Sequence, residues 1–380
     1  MLRLPSSSDS GTGGLNPCRF CVYPPFYPLL TFERDGSIRP RNTEVARLYE
    51  ARKKQKTRRE ITMITTETKT TEKTEATETT TTFGIELEFT GITRRTAAEI
   101  LHSYLHSDKR IACHIFSYIV TDQQGREWKI DQDPSITADF DQQNELVTPV
   151  LTTADLPILK GIIEALKNAG AVSSDELGCG IHAHISGTGH TAKTIKNLVN
   201  IMAAHEDQLF KAFGVTKPDR TEHYCKKVDT RFLEKLNEIS KTTMETMTME
   251  QLADIWYKTQ GCDFMRDDRY NPSRYHALNL HAFFCPSRYH TIEIRLGQFR
   301  PKTSMNWTVL EAFIRICLAI NELAKNLKTA SPKPQQNDNP RYAFRCWLLR
   351  LGFIGNDSKL IRKFLLTNFA GDGAWRNKAA

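Results

Sequence analysis

The chain has 380 residues, of which 39% are hydrophobic and 25% charged, so after a tail is set aside it can still bury a sizeable core. Its formal charge of +8 is concentrated near the N-terminus, where residues 1–60 hold 12 Lys and Arg against 6 Asp and Glu. The rest of the chain is nearly balanced, which argues against a dedicated nucleic-acid-binding domain. The sequence contains no run of about 18 apolar residues, so we expect no membrane-spanning helix.

Nine scattered cysteines, several of them inside apolar patterns, predict reduced thiols in a cytoplasmic protein. Cys18 and Cys21 have the spacing of half a zinc site, but the sequence has no second pair of this kind, so we expect no structural zinc. The N-terminus also lacks the apolar core of a signal peptide.

Residues 1–82 predict a disordered tail. The first forty positions are punctuated by Pro and Gly, residues 52–59 are strongly basic, and 12 of the 21 residues in 62–82 are Thr. Such a segment cannot bury enough apolar area to offset the entropy of ordering it. The basic run could contact nucleic acid weakly, although a solvated helix is the commoner outcome. We therefore expect the folded domain, which the residues discussed below suggest to be catalytic, at 83–380.

The first half of this domain alternates between strand and helix patterns. Residues 83–89 alternate apolar and charged with the period of a strand. A capping box from Thr96 to Glu99 predicts a helix to about residue 106. A hairpin joins 117–121 to 127–130, and a short strand follows at 144–149. The spacing of apolar residues then predicts helices over 153–168 and 191–213.

The second half is mainly helical. Helical patterns occupy 228–239 and 249–258, and two strands, 276–284 and 290–297, are joined across Pro286 and Ser287. Helices follow over about 304–327, 340–351 and 357–369. Strands interspersed with helices, without a regular βαβ repeat, predict an α+β fold with a mostly antiparallel sheet and helices packed on one side.

Three predicted strands carry ionisable side chains in alternation, so on a shared sheet these groups would converge on one face. Carboxylate oxygens suit Mg²⁺ or Mn²⁺, imidazoles are compatible with Mn²⁺ or a phosphate, and an arginine beside a metal ligand suits a bound anion. The candidates are Glu86, Glu88, Glu145, His182, His184, Glu293 and Arg295.

Some of these signals remain open to other interpretations. Each charged pair alone also fits the solvent-facing side of a half-buried strand. Asp131 and Asp133, where the hairpin ends, are either turn formers or site carboxylates. The sequence lacks the phosphate-binding loop pattern GxxxxGK[ST] and the GxGxxG fingerprint, so a nucleotide would be held by metal and side chains.

Taken together, these motifs resemble the amidoligase family of the glutamine synthetase and glutamate–cysteine ligase superfamily of carboxylate–amine ligases. The resemblance begins at Phe83, continues almost to the C-terminus, and leaves the tail outside. It is carried by FGIELEF at 83–89, Trp128, DPS at 133–135, ELVTP at 145–149, CGIHAH at 179–184, Arg220 with Tyr224 and Cys225, Arg274 with Tyr275, LNL at 278–280, TIEIR at 291–295 and the segment 365–375.

The resemblance implies a glutamine synthetase-like sheet that binds ATP and two or more Mg²⁺ ions. It places metal ligands at Glu86, Glu88, Glu145, His182 and Glu293. It places nucleotide contacts at His184, Arg220, Arg274 and Arg295, of which Arg295 also neutralises the transferred phosphoryl group. The loops that select substrates in glutamine synthetase have no recognisable counterpart here, so the identity of the acid and the amine does not carry over.

The expected reaction joins a carboxylate to an amine, on small molecules or peptides, through an acyl phosphate. Asp131 or Asp133 is the expected base that deprotonates the amine. One alternative is a metal-dependent amide hydrolase, because an HxH strand with acidic neighbours also activates water. The other is a binding protein whose basic tail contacts nucleic acid. The sequence leaves an oligomer open.

Overall fold

The computed structural model describes residues 81–285, 290–334 and 338–375, and the backbone of two short strands nearer the N-terminus. These strands, β1 (Leu30–Phe32) and β2 (Ile38–Pro40), form an antiparallel pair. They belong to a separate unit of the chain and are described by themselves. The predicted tail therefore contains one strand pair, and the rest of that prediction, including the basic run and Cys18 with Cys21, lies outside the described residues.

One eight-stranded sheet organises the main body, in the order β4-β5-β6-β7-β3-β8-β10-β9, and every neighbouring pair is antiparallel. Its strands are β3 (Phe83–Phe89), β4 (Ala112–Cys113), β5 (Ser117–Thr121), β6 (Glu127–Gln132), β7 (Asn144–Val147), β8 (Ile181–Ser186), β9 (Leu278–Asn279) and β10 (Thr291–Gly297). The predicted α+β class and the mostly antiparallel sheet are confirmed.

Ten α-helices accompany the sheet in the described residues. They are α1 (Arg94–Tyr104), α2 (Leu156–Asn168), α3 (Ala192–Phe213), α4 (Thr230–Glu238), α5 (Lys241–Thr246), α6 (Met249–Thr259), α7 (His281–Phe284), α8 (Trp307–Asn326), α9 (Pro340–Arg350) and α10 (Lys359–Leu365). None of the helices in this part of the chain is long and apolar enough to cross a membrane.

The sheet has one apolar face, against which the long helices pack. On β3 the side chains of Phe83, Ile85, Leu87 and Phe89 point to this face and are buried. Helix α1 contacts β5 and β6, while α3 and α8 contact β10. Each fully buried side chain of this size stabilises the fold by roughly 1.5–3 kcal/mol. The period of two then sends the charged residues of the same strands to the opposite face.

The predicted strand 276–284 is wrong after Asn279. Strand β9 contains only two residues, and α7 begins at His281. The side chain of Asn279 accepts a hydrogen bond from the backbone N–H of His281 at 2.8 Å, and the carbonyl of Leu280 accepts from Phe283 and Phe284. These bonds turn the chain into a helix, although its apolar residues also fit a strand. Pro286 and Ser287 lie outside the described residues.

The predicted start of the first helix is also wrong. The cap is Thr93, whose side chain accepts from the N–H of Thr96, so the helix begins at Arg94. The sequence prediction took Thr96 as the cap, but Thr96 lies inside the helix. Thr93 and Thr96 are both threonines, so residue type alone did not distinguish the true cap. Strand β4 and helix α5 have no counterpart in the sequence prediction.

Candidate active site

The antiparallel register brings the predicted ionisable residues together on the sheet face opposite the helices. Glu86 of β3 lies opposite His182 of β8, and Glu293 of β10 lies opposite His184. On the other side of β3, Glu88 pairs with Glu145 of β7. The convergence that the sequence predicts is therefore present, with Arg295 two residues beyond Glu293 on the same strand.

One cluster of possible metal ligands consists of Glu86, His182 and Glu293, whose ligand atoms lie within 4.8 Å of one another. His182 Nδ1 lies 3.1 Å from Glu86 Oε2 and 3.8 Å from Glu293 Oε1. His184 Nε2 lies 3.1 Å from the other oxygen of Glu86. Two carboxylates and one imidazole thus surround a single point on the sheet.

A second cluster consists of Glu88, Glu145 and His182, again within 4.8 Å. Glu88 Oε1 lies 3.8 Å from His182 Nε2, and its other oxygen accepts a hydrogen bond from the N–H of Gly180 at 2.5 Å. Because His182 belongs to both clusters and presents a different nitrogen to each, the two potential cation sites are adjacent.

Basic neighbours compensate the charge of the first cluster. Burial opposes ionisation of Glu86, but the positive charge of His184 and hydrogen bonds from both histidines hold its pKa well below the ordinary value. Burial likewise opposes ionisation of Glu293, yet Arg295 and His184 lower its pKa to about 2. The charges of Glu86 and Glu293 overcome burial and raise the pKa of His184 to about 9.

The second cluster has an excess of negative charge. Burial raises the pKa of Glu145 well above its ordinary value, and the charges of Glu86 and Glu88 add to the effect. Burial also raises the pKa of Glu88; Asp133 adds to this, while His182 opposes it. Buried like charges are costly unless a cation neutralises them. Hard carboxylate oxygens with one imidazole suit Mg²⁺ or Mn²⁺, so this donor set fits a divalent cation.

Arg295 is oriented by two hydrogen-bond acceptors, and one of these, Glu293, is itself held by a third residue. Its Nη1 donates to Glu293 Oε1, and its Nε donates to the carbonyl of Tyr224 at 3.4 Å. Glu293 is held from its other side by Asn279, whose Nδ2 donates at 2.6 Å. Asn279 is a site residue that the sequence prediction missed, although it lies in the LNL motif; its position opposite Glu293 on β9 depends on the pairing of the strands.

These groups line a cavity of about 760 Å³, within the roughly 300–1,000 Å³ of typical ligand pockets. The acidic clusters lie on β3, β7, β8 and β10, and four basic residues from other segments share the wall: Lys217, Arg220, Arg269 and Arg274. Tyr270 and Tyr275 each lie under an arginine, with cation–ring distances of 5.7 and 5.6 Å. The cavity thus offers cation ligands and anion donors together.

The remaining predicted site residues occupy different positions. Asp133 lines the cavity, and its Oδ1 accepts a hydrogen bond from the N–H of Ser135 at 2.8 Å, as a turn former does. Asp131 lies on β6 opposite Glu145. Arg274 lines the cavity and donates to the carbonyl of Arg269 at 2.9 Å. Arg220 lines it too, but its guanidinium donates to backbone carbonyls of β10.

Fold and site together define a class: an α+β protein whose sheet presents paired carboxylate–histidine clusters and a buried arginine to one polar cavity. Comparison with known protein families makes this class more specific. Residues 79–321, more than half of the chain, match the family described as "putative amidoligase enzyme". The chain belongs to this amidoligase family, which indicates a ligase-type enzyme. Searches of curated proteins and of solved structures found no match.

Proposed function

We propose that the protein is an ATP- and Mg²⁺-dependent carboxylate–amine ligase that forms an amide bond through an acyl phosphate. The observation that carries this proposal is the pair of clusters that share His182 and face the same cavity as Arg295. Phosphoryl transfer needs cations and cationic side chains around the developing charge more than it needs a nucleophile from the protein. The cavity contains candidate ligands for such cations and, beside them, cationic side chains.

In this proposal Glu86, His182 and Glu293 hold one cation, and Glu88, Glu145 and His182 hold the other. The bound cations would neutralise the phosphate oxygens of the nucleotide. His182 is the ligand that the two sets have in common, and because a neutral imidazole has one free nitrogen lone pair, it would ligate one cation at a time. Removing this one side chain would therefore disturb both sites, whereas removing Glu145 or Glu293 would disturb one.

Arg295 is the proposed donor to the phosphoryl group. Hydrogen bonds to Glu293 and Tyr224 account for Nη1 and Nε, and among the described residues none accepts a hydrogen bond from Nη2. This nitrogen can donate to an anion in the cavity without disturbing the contacts that orient the guanidinium. His184, with its pKa of about 9, supplies a second positive group near Glu86 at neutral pH. Arg274 is proposed as a further contact for the nucleotide.

The amine must lose a proton before it attacks, because an alkyl ammonium has a pKa near about 10. We propose Asp133 for this step, since it lines the cavity beside Glu88 and Glu145 and its Oδ1 makes only a turn bond to Ser135. Asp131 is the other candidate. It lies on β6, opposite Glu145 of β7. The comparison of Asp133→Asn with Asp131→Asn, measured as the pH profile of turnover, separates the two.

The direct test is ADP release from ATP by the purified full chain, supplied with pooled carboxylic acids and amines and with or without Mg²⁺. We expect Mg²⁺-dependent release that increases when an acid and an amine are both present, with amide products visible by mass analysis. Glu293→Gln should abolish release, while Glu99→Gln, at an exposed site on α1, should not. Amide hydrolysis without nucleotide would overturn the proposal in favour of a metal-dependent hydrolase.

A further inference from the structure

One turn of the chain holds Arg295 in two ways. Residues Arg220–Tyr224 form a short π-helical turn, a rare conformation that occurs often at functional sites. The side chain at its start binds the backbone at Arg295, since Arg220 Nη2 donates to the carbonyls of Arg295 and Gly297 at 2.9 and 3.0 Å. The backbone at its end binds the Arg295 side chain, since the carbonyl of Tyr224 accepts from Nε.

The backbone that Arg220 holds is irregular. The pairing of β10 with β8 shifts register between Ile294 and Gly297, so the regular pairing of the two strands is interrupted at Arg295. A bulge of this kind redirects a side chain but leaves backbone groups without strand partners. The two bonds from Arg220 satisfy carbonyls at that interruption and fix the direction in which Arg295 emerges.

The guanidinium of Arg220 also lies against Gly180. A Cβ at position 180 would be 2.8 Å from Nη1 and Nη2, so a larger residue there would force the guanidinium to move. The N–H of the same glycine donates to Glu88 Oε2. The Arg220 guanidinium therefore lies between Gly180, whose N–H binds Glu88 of the second cluster, and strand β10, which carries Arg295.

The geometry points to Arg220 as a positioning residue that sets the separation and orientation of Arg295 relative to the acidic clusters. Its Nη2 is committed to two backbone carbonyls of the strand that carries Arg295. This inference rests on the proposed function, because Arg295 is taken there as the donor to the phosphoryl group.

A double-mutant cycle tests this assignment. We expect Arg220→Ala and Arg295→Ala each to lower kcat about 100-fold, in the range of a lost transition-state donor, with the KM for ATP changed less than about threefold. Because Arg220 acts through Arg295, the double variant should be no worse than Arg295→Ala alone. A kcat lowered about 10,000-fold in the double variant, which is the product of the two single losses, would overturn the assignment. A KM for ATP raised tenfold by Arg220→Ala would also overturn it.

Gly180→Ala provides an independent variant that keeps every charge. The added methyl group should push the guanidinium off the β10 carbonyls and reproduce the loss seen in Arg220→Ala. The combined variant Gly180→Ala with Arg220→Ala should be no worse than either one. Arg220→Lys should also fail, because a lysine keeps the charge but not the planar guanidinium. Full activity in either Gly180→Ala or Arg220→Lys would contradict a positioning role.

Amide hydrogen exchange gives a readout that does not need turnover. In the nucleotide-free protein, Arg220→Ala should speed exchange in residues 291–297 by about tenfold, while Arg231→Ala, at an exposed site on α4, should leave it unchanged. Unchanged exchange in Arg220→Ala would overturn the inference. Since this measurement does not involve ATP, failure of the proposed reaction and failure of the positioning role are distinguishable.

Discussion

Two groups of buried acidic side chains, one at the β5–β6 turn and one on the polar face of the sheet, differ in how their charge is compensated. At the turn of the β5–β6 hairpin, Asp122 accepts hydrogen bonds from Arg126 and from the indole of Trp128, and the same arginine binds Asp155 at 2.8 Å. Burial opposes the ionisation of Asp122 and Asp155, but the hydrogen bonds outweigh this effect and hold the pKa of both carboxyl groups below the ordinary value. Here every negative charge has a partner within the chain.

The second cluster of the candidate site shows the opposite condition. Burial and the nearby charges of Glu86 and Glu88 raise the pKa of Glu145, and the charges of Asp133 and Asp131 raise it further. The hairpin network is complete by itself, whereas the donor set of this cluster fits an added cation. In the proposed function, a bound cation supplies the charge that the chain itself does not.

The largest effect is expected from Glu86→Gln. Glu86 contacts both histidines, and the amide keeps its size but removes the charge that holds a cation. We expect loss of more than about 1,000-fold in kcat/KM, with the fold intact by circular dichroism and thermal unfolding. ATP consumption near the wild-type level would show that the assignment of this cluster is wrong.

The two histidines of β8 should differ. His182 belongs to both ligand clusters and His184 to neither, so His182→Ala should lower turnover about 1,000-fold and His184→Ala about tenfold. Steady-state kinetics at saturating Mg²⁺ and ATP measure both. Equal and small losses would indicate histidines with a purely structural role.

In the compensated network we expect Asp122→Asn to cost about 2–3 kcal/mol in the free energy of unfolding, because Arg126 and Trp128 lose an ionised partner. Since the folded-state pKa of Asp122 is lowered, its contribution is present above about pH 4 and is lost as the pH falls through the folded-state value. Urea unfolding at pH 7 and at pH 3 measures this difference. Loss of Mg²⁺ or ATP binding in this variant would contradict the view that the hairpin network contributes to stability and the candidate site to ligand binding.

The smallest effect is expected in the number of protons released when Mg²⁺ binds. Because the pKa of Glu145 is raised, this group keeps its proton to a higher pH in the metal-free protein, and a cation must displace it. Mg²⁺ affinity should therefore increase with pH, by up to about tenfold per unit, and level off above that pKa. Calorimetry in two buffers of different ionisation enthalpy measures the released proton. Glu145→Gln should remove this part of the release, and an unchanged release would contradict the account.

The sequence predicted which ionisable residues share a face of the sheet better than it predicted the local turns. Alternation at Glu86 and Glu88, His182 and His184, and Glu293 places all of these side chains on one face, because a strand has a period of two whatever its partners. Their order across the sheet was not predictable, since it depends on pairing between strands that are far apart in sequence. The same reason explains why Asn279 was missed, as only the register of β9 with β10 places it beside Glu293.

Other errors of the sequence prediction arose where local hydrogen bonds, and not the apolar pattern, decided the secondary structure. The apolar residues at 280–284 fit a strand as well as a helix, and the side chain of Asn279 decides the outcome by capping the N–H of His281. The role of Arg220 could not be read from the sequence either. Its contacts with the carbonyls of Arg295 and Gly297 arise from a π-helical turn and a register shift, neither of which has a sequence signature here.

The most direct measurement is the number of Mn²⁺ ions bound per chain in the presence of a non-hydrolysable ATP analogue, by paramagnetic resonance titration. The account predicts two ions in the wild type, one in Glu293→Gln, one in Glu145→Gln and none held tightly in His182→Ala. One ion or none in the wild type, or two ions in His182→Ala, would contradict the claim that His182 joins two adjacent cation sites.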